Sequence, residues 1–234
     1  MSLEAELERA RDLSVGDLAD AIESIGFECT RCGACCKAVE GDDTDREDHT
    51  ATVFPDEVRD LQEAGDYDWR DVARPMPYGF TGGADGPAGE TFEWALQTDA
   101  CGDCAFYQED DDGTGACSVH GDRPLICRTY PFSIGNVDER QHNEGGGLGT
   151  TEPAGGVVEQ EGMVRAHKCE GLGRDISREN AEELAAALKE RAIQELEEAI
   201  GVRDNYEPTD VDKVVVHDSE GQKRSDGTPL EKEE

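Results

Sequence analysis

The stretch Cys29-Thr30-Arg31-Cys32-Gly33-Ala34-Cys35-Cys36 decides how this chain folds, because it places four thiols within eight residues. A gap of two residues between cysteines lets the backbone turn so that both sulfurs face one cation, and Gly33 relieves the tight turn. Clustered thiols would gain little by packing alone, whereas coordination converts metal-binding free energy into folding free energy. We therefore predict a metal site here rather than a set of small buried hydrophobic side chains.

A second group of cysteines lies further along the chain. Cys101 and Cys104 are separated by two residues, Cys117 follows an acidic turn, and Cys127 stands within the run RPLICRTYPF. The flanking segments predict a small hairpin that brings Cys104 and Cys117 together, with Cys127 on the following turn within reach of the same centre. A lone CxxC pair is equally compatible with a dithiol redox site, and that alternative stays open.

The charge of the chain limits its partners. Its 234 residues include 56 acidic and 22 basic ones, which gives a formal net charge of -34. Such an excess repels phosphate backbones, so we expect no nucleic acid partner. The acidic residues are spread over all segments, a pattern that indicates a high-salt cytoplasm in which counterions screen the self-repulsion.

The N-terminal sequence MSLEAELERARDL is charged and has a helical pattern, without the apolar stretch that an export signal requires. No segment approaches the length of a membrane span, so we expect no membrane association and a cytoplasmic location. In a reducing compartment, nine cysteines favour metal or redox chemistry over a disulfide framework.

The overall pattern predicts an α+β fold in which a small cysteine-clamped metal-binding domain is flanked by helices. Apolar residues recur at helical spacing over 1–26, and the cysteine-cluster domain spans 27–172. A C-terminal helix over 173–202 packs on that domain, with Gly201 as its stop signal. Residues 218–234 are polar and predict a disordered acidic tail.

Two further segments inside the central domain carry a local prediction. The run TFEWALQT at 91–98 alternates Phe92, Trp94 and Leu96 on one side, which is typical of a half-buried strand. The glycine-rich run GGADGPAGE at 82–90 predicts an exposed turn or loop.

Taken together, three phrases resemble the YkgJ-like cysteine-cluster family, a zinc- or iron-chelating domain. They are C-x-x-C-x-x-C-C, then Cys-x-Phe before an acidic turn, then Cys-x-Val-His-x-x-Arg-Pro-x-x-Cys-Arg-x-Tyr-Pro-Phe, and they span Phe27 to Phe132 with an echo at HKCEGLG. The resemblance implies eight metal ligands: Cys29, Cys32, Cys35, Cys36, Cys104, Cys117, Cys127 and Cys169. Cys101 departs from the family pattern.

The resemblance leaves the metal, the number of sites and the activity open. Eight thiolates suffice for two four-ligand sites or for one richer cluster. The spacing Cys29, Cys32, Cys35 also opens a bacterial ferredoxin run, whereas an all-cysteine tetrahedral site suits zinc equally well. Three functions are compatible with the pattern: a non-catalytic metal-binding protein, a transferase similar to flagellin lysine N-methylases, and an iron–sulfur electron carrier or redox sensor.

Overall fold

The computed structural model contains helices and several small sheets, which confirms the predicted α+β class. The structure describes residues 2–40, 46–83, 86–135, 150–151, 153, 156–209 and 213–230. The chain divides into two compact units. Unit 1 comprises Met1–Cys35, Asp111–Gly115 and Leu125–Glu197, and unit 2 comprises Cys36–Asp110, Ala116–Pro124 and Glu198–Glu234. The domain boundaries expected from the sequence stay a prediction.

The elements are short except for the last helix. The helices are α1 (Leu3–Arg11), α2 (Val15–Ile25), α3 (Pro55–Ala64), α4 (Trp69–Val72), α5 (Leu125–Thr129) and α6 (Arg178–Asn205). The strands are β1 (Val39–Glu40), β2 (Arg46–Glu47), β3 (Thr52–Val53), β4 (Ala73–Pro75), β5 (Phe80–Gly83), β6 (Gly86–Thr91), β7 (Trp94–Leu96), β8 (Tyr107–Glu109), β9 (Gly115–Cys117), β10 (Phe132–Ile134), β11 (Val157–Glu161), β12 (Val164–His167), β13 (Val214–Asp218) and β14 (Gly221–Arg224). Within the described residues, no helix is both long and apolar enough to cross a lipid bilayer.

Unit 1 begins with two helices in the region where the N-terminal spacing predicted helical structure. The Ser2 and Ser14 side chains accept hydrogen bonds from backbone N–H groups of the first turns of α1 and α2, as N-cap residues do. Helix α2 ends at Gly26 and packs on β11 and β12 of a three-stranded antiparallel sheet ordered β10-β12-β11. The cysteine loop therefore follows directly after a helix that is packed against this sheet.

The described part of unit 2 contains several small sheets. The largest has the order β14-β13-β6-β5, with β13 and β6 parallel and the other pairs antiparallel, and a second has the order β3-β7-β4. Trp94 on β7 is 1% exposed and its indole N–H donates to Asp218 at 2.9 Å. The Lys223 ammonium lies 2.8 Å from the same carboxylate, so the end of β13 carries a buried ion pair.

The structure contradicts the prediction of disorder after residue 218. Residues 221–224 form β14, which pairs antiparallel with β13, and Lys223 also bridges to Pro229. The polar composition of this segment hid the strand, which is held by pairing with β13, where Val215 and Val216 are buried. Residues 231–234 lie outside the described residues.

Two glycine-based predictions were also wrong. Helix α6 continues through Gly201 to Asn205, and a Cβ at Gly201 would lie 2.5 Å from the Ser219 Cβ. The glycine therefore permits a close approach of the β13–β14 turn instead of ending the helix. The run at 82–90 was predicted as an exposed turn or loop, but its described residues belong to β5 and β6, which pair with each other, and β6 also pairs with β13. Residues 84–85 lie outside the described residues.

Candidate metal centre

The cysteine loop of unit 1 makes two left-handed turns. Arg31 has φ 59°, the single positive φ of a non-glycine residue among those described, and Gly33 has φ 74°. Left-handed backbone is unfavourable for a residue with a Cβ. Two hydrogen bonds offset this cost: Gly115 N–H donates to the Arg31 carbonyl at 2.7 Å, and the Arg31 Nε donates to the Gly115 carbonyl at 3.0 Å.

The entry to this loop runs antiparallel to the segment that follows β12. Phe27 forms a β-bridge with Leu172, and Glu28 N–H donates to the Gly171 carbonyl at 3.1 Å. A Cβ at Gly171 would lie only 2.2 Å from the Glu28 carbonyl oxygen, so this close approach requires glycine. The segments that carry Cys29 and Cys169 therefore lie side by side. No local pattern in the sequence predicts this pairing.

Cys169 lies within electrostatic reach of three other thiols. Burial raises the pKa of the Cys169 thiol, and the neighbouring Cys32, Cys35 and Cys29 raise it further, while a hydrogen bond from Gly171 N–H to its sulfur, 3.4 Å long, lowers it. Cys29 and Cys35 are exposed, and Cys32 and Cys169 are half-buried. Three of the other predicted ligands thus lie within electrostatic reach of Cys169 in unit 1.

Cys127 lies at the same end of the unit 1 sheet as Cys169. Strands β10 and β12 are antiparallel, so α5, which precedes β10, and the segment after β12 leave the sheet on one side. The Tyr130 hydroxyl donates to the Lys168 carbonyl at 2.8 Å and ties the two segments together. Cys127 is half-buried on α5.

Unit 2 contains Cys36, Cys101, Cys104 and Cys117. Cys104 is buried, and its N–H donates to the Cys36 carbonyl at 2.8 Å. The predicted hairpin is present as the two-stranded sheet of β8 and β9, and Ser118 N–H donates to the Phe106 carbonyl at 2.9 Å beside Cys117. The backbone thus places the Cys104 segment next to Cys36.

Cys101 has a different environment from Cys104. Its side chain is exposed, and its N–H donates to the Asp99 carboxylate at 2.8 Å. The same carboxylate oxygen accepts the Asp103 N–H at 3.0 Å, so the loop is held by an aspartate rather than by its thiols. This agrees with the departure of Cys101 from the family pattern.

His49, His167 and His217 either contact a polar side chain of the same protein or have a lowered pKa. His167 Nε2 lies 2.8 Å from the Ser133 hydroxyl, and His217 Nε2 lies 2.8 Å from the Glu90 carboxylate. Burial, followed by the Arg74 charge, lowers the pKa of His49 to about 4. His142 lies outside the described residues.

The donor set fits a thiophilic metal. All nine cysteines lie in the described part of the chain, and none forms a disulfide. As the described side chains are placed, no group of three or more Cys, His, Asp or Glu residues is arranged to hold an ion. The chemistry still matches zinc or iron, because four thiols share one region and a backbone N–H donates to one sulfur, as occurs around metal-bound thiolates.

Comparison with known families supports the same chemistry. Residues 28–170 match the family described as "CxxCxxCC: Putative zinc- or iron-chelating domain". The matched region covers more than half of the chain and includes all nine cysteines. No curated protein matches the chain, and no solved structure matches it. The description supports metal binding and does not distinguish zinc from iron.

Proposed function

Because the chain belongs to the CxxCxxCC family of zinc- or iron-chelating domains, we propose that its function is to bind such a metal through reduced cysteines. The core of the centre is the set of four thiols in unit 1: Cys29, Cys32, Cys35 and Cys169. The observation that carries this proposal is the electrostatic proximity of Cys169 to the other three thiols, which follows from the antiparallel pairing of Phe27 with Leu172.

Metal binding requires the four side chains to turn towards one point. The two exposed thiols, Cys29 and Cys35, have room to rotate, and the loop that carries them is already bent at Arg31 and Gly33. Coordination deprotonates the thiols and removes the penalty of holding several thiolates near one another without a cation. The backbone thus supplies the approximate arrangement, and the ion supplies the final one.

The remaining proposed ligands are Cys36, Cys104, Cys117 and Cys127. Their support is the family match, together with the hydrogen bond from Cys104 to Cys36 and the position of Cys127 on the Cys169 side of the unit 1 sheet. Cys101 is left out of the ligand set, because its exposed loop is held by Asp99.

A zinc ion and an iron–sulfur cluster are the two alternatives that we consider for this centre. The ferredoxin-like spacing of the first three cysteines supports a cluster. A colourless tetrahedral zinc site uses the same four thiolates. We propose a metal-binding role in the cytoplasm, with no catalytic activity assigned and without a nucleic acid partner, in which the metal either stabilises the fold or is transferred to a partner protein.

Anaerobic purification followed by metal and sulfide analysis tests the proposal. Iron with acid-labile sulfide, in a brown sample whose absorbance bleaches on reduction, establishes a cluster. Stoichiometric zinc in a colourless, sulfide-free sample establishes a zinc site and excludes the electron-carrier function. A folded protein that takes up neither metal after anaerobic reconstitution contradicts the proposed function.

A further inference from the structure

Arg191 on α6 is fully buried and its guanidinium is committed to four acceptors. Its exposed fraction is 0%. The Nε donates to the Glu195 carboxylate at 2.8 Å, and one terminal nitrogen donates to the Thr129 hydroxyl at 3.0 Å and to the Phe132 carbonyl at 3.4 Å. The other terminal nitrogen donates to the Thr151 carbonyl. Arg191 therefore connects α6 to the last residue of α5, to the first residue of β10 and to Thr151.

A purely stabilising role explains this arrangement poorly. Replacing a buried ion pair by well-packed apolar side chains is often neutral or stabilising, because desolvation offsets the attraction. The guanidinium is instead suited to fix several acceptors at defined angles, since its donors form a rigid planar fork. Arg191 consequently specifies the position of Thr129 and Phe132 more than it adds to the stability of unit 1.

One of these acceptors lies in the turn that carries a proposed ligand. Thr129 is two residues after Cys127, and its hydroxyl also donates to the Leu125 carbonyl at 2.7 Å, at the start of α5. The hydroxyl thus joins both ends of this short helix while it accepts from Arg191. Any shift of the guanidinium is transmitted to the helix that presents the Cys127 thiol.

The same segment contacts the two other cysteine-bearing stretches of unit 1. The Tyr130 hydroxyl donates to the Lys168 carbonyl, one residue before Cys169. The Phe132 ring packs edge-to-face on the Phe27 ring, with centroids 5.7 Å apart, two residues before the cysteine loop begins. The segment 129–132 therefore contacts the residue before Cys169 and a residue two positions before Cys29.

We propose that Arg191 is a positioning residue for the metal centre, which acts through the segment 129–132 without touching the metal. This inference rests on the proposed function. Arg191 lies outside the family match of 28–170, so the C-terminal helix contributes to a centre whose ligands all belong to the matched region. Support of this kind around first ligands typically changes metal affinity by about 10- to 100-fold when it is removed.

The test compares Arg191→Lys and Thr129→Val with Leu188→Ala. Lysine retains the charge but cannot reproduce the fork, and valine removes the Thr129 hydroxyl. Leu188 is fully buried on the same helix, so its truncation weakens packing without deleting a hydrogen bond. Metal affinity is measured by chelator competition with zinc or iron, at a salt concentration where each metal-free variant is folded by circular dichroism.

Arg191→Lys and Thr129→Val should each bind the metal about 10- to 100-fold more weakly, whereas Leu188→Ala should bind like the wild type. A second readout uses metal-free protein: alkylation of Cys127, followed by mass spectrometry, should accelerate in the two polar variants while that of Cys101 stays unchanged. Unchanged metal affinity in folded Arg191→Lys or Thr129→Val overturns the inference. An equal loss of metal affinity in Leu188→Ala also overturns it, as does unfolding of both Arg191→Lys and Thr129→Val in the presence of metal. Either result would mean that Arg191 contributes to stability alone. Absence of metal in the wild type would instead be a failure of the proposed function.

Discussion

Cys104 donates its backbone N–H to the carbonyl oxygen of Cys36 at 2.8 Å, across 68 positions of sequence. Cys104 is 6% exposed, so its thiol is withdrawn from solvent while its backbone is tied to the end of the cysteine loop. Cys101, in the same CxxC, is exposed and bonded to Asp99. Two cysteines that look equivalent in sequence therefore have different expected roles.

Substitution of individual cysteines should separate ligands from the unmatched thiol. Cys32→Ser and Cys127→Ser should each lower metal content and destabilise the protein, because a neutral hydroxyl replaces a thiolate and the lost binding energy was part of folding. Cys101→Ser is the matched control and should be nearly silent in both respects. Metal analysis and thermal unfolding of the three variants provide the measurement. Full metal content in Cys32→Ser would overturn the central proposal, and metal loss in Cys101→Ser would revise the ligand set.

The pairing of the cysteine loop with residues 171–173 makes Gly171 sensitive to substitution. In Gly171→Ala the new Cβ would lie 2.2 Å from the Glu28 carbonyl oxygen, so the two segments have to separate. We expect a loss of stability of about 1–3 kcal/mol, typical of overpacking, together with weaker metal binding. Gly156→Ala is the control, because no atom of the described residues beyond its chain neighbours lies within 4 Å of its Cβ position. Equal stability of the two variants in denaturant titrations would show that this close approach does not hold the loop.

Salt should stabilise the protein. At a net charge of -34 the carboxylates repel one another, and the screening length falls from about 10 Å at 0.1 M to about 3 Å at 1 M salt. The melting temperature, followed by circular dichroism, should rise over this range. The effect should shrink as the pH approaches the isoelectric point near 4.3, where the charge excess disappears. A melting temperature that is independent of salt at neutral pH would argue against a high-salt environment.

His49 should make the stability depend on pH in a defined window. Burial, and then the Arg74 charge, lowers its pKa from 6.5 to about 4 in the folded state. Between pH 4 and pH 6.5 the unfolded chain binds more protons at this residue than the folded chain does. The free energy of unfolding is therefore highest above pH 6.5 and decreases as the pH falls towards 4.

His49→Gln removes this titration. The difference in unfolding free energy between wild type and variant should be constant above pH 6.5 and then decrease by up to about 1 kcal/mol per pH unit below it. Urea titrations of both proteins from pH 4.5 to 8 measure the difference. Parallel profiles over the whole range would mean that His49 titrates alike in the folded and unfolded states.

Local signals in the sequence predicted the elements that depend on local interactions. The serine caps and apolar spacing of α1 and α2 were sufficient, because capping and helical periodicity act within a few residues. Phe92 was less predictable: it is 46% exposed, whereas Trp94, Ala95 and Leu96 are all buried on β7. The expected alternation failed because β7 is the central strand of its sheet and is covered on both faces.

The sequence by itself indicated the class of chemistry, since the number and spacing of the cysteines carry the family resemblance, and the match over residues 28–170 supports zinc or iron chelation. Only the tertiary structure decided which cysteine-bearing segments lie next to one another. The pairing of the segments that carry Cys29 and Cys169, the backbone hydrogen bond from Cys104 to Cys36 and the reach of Arg191 to Thr129 join residues that are far apart in sequence. Such contacts depend on strand pairing and close packing between distant segments, which leave no periodic pattern in either segment alone.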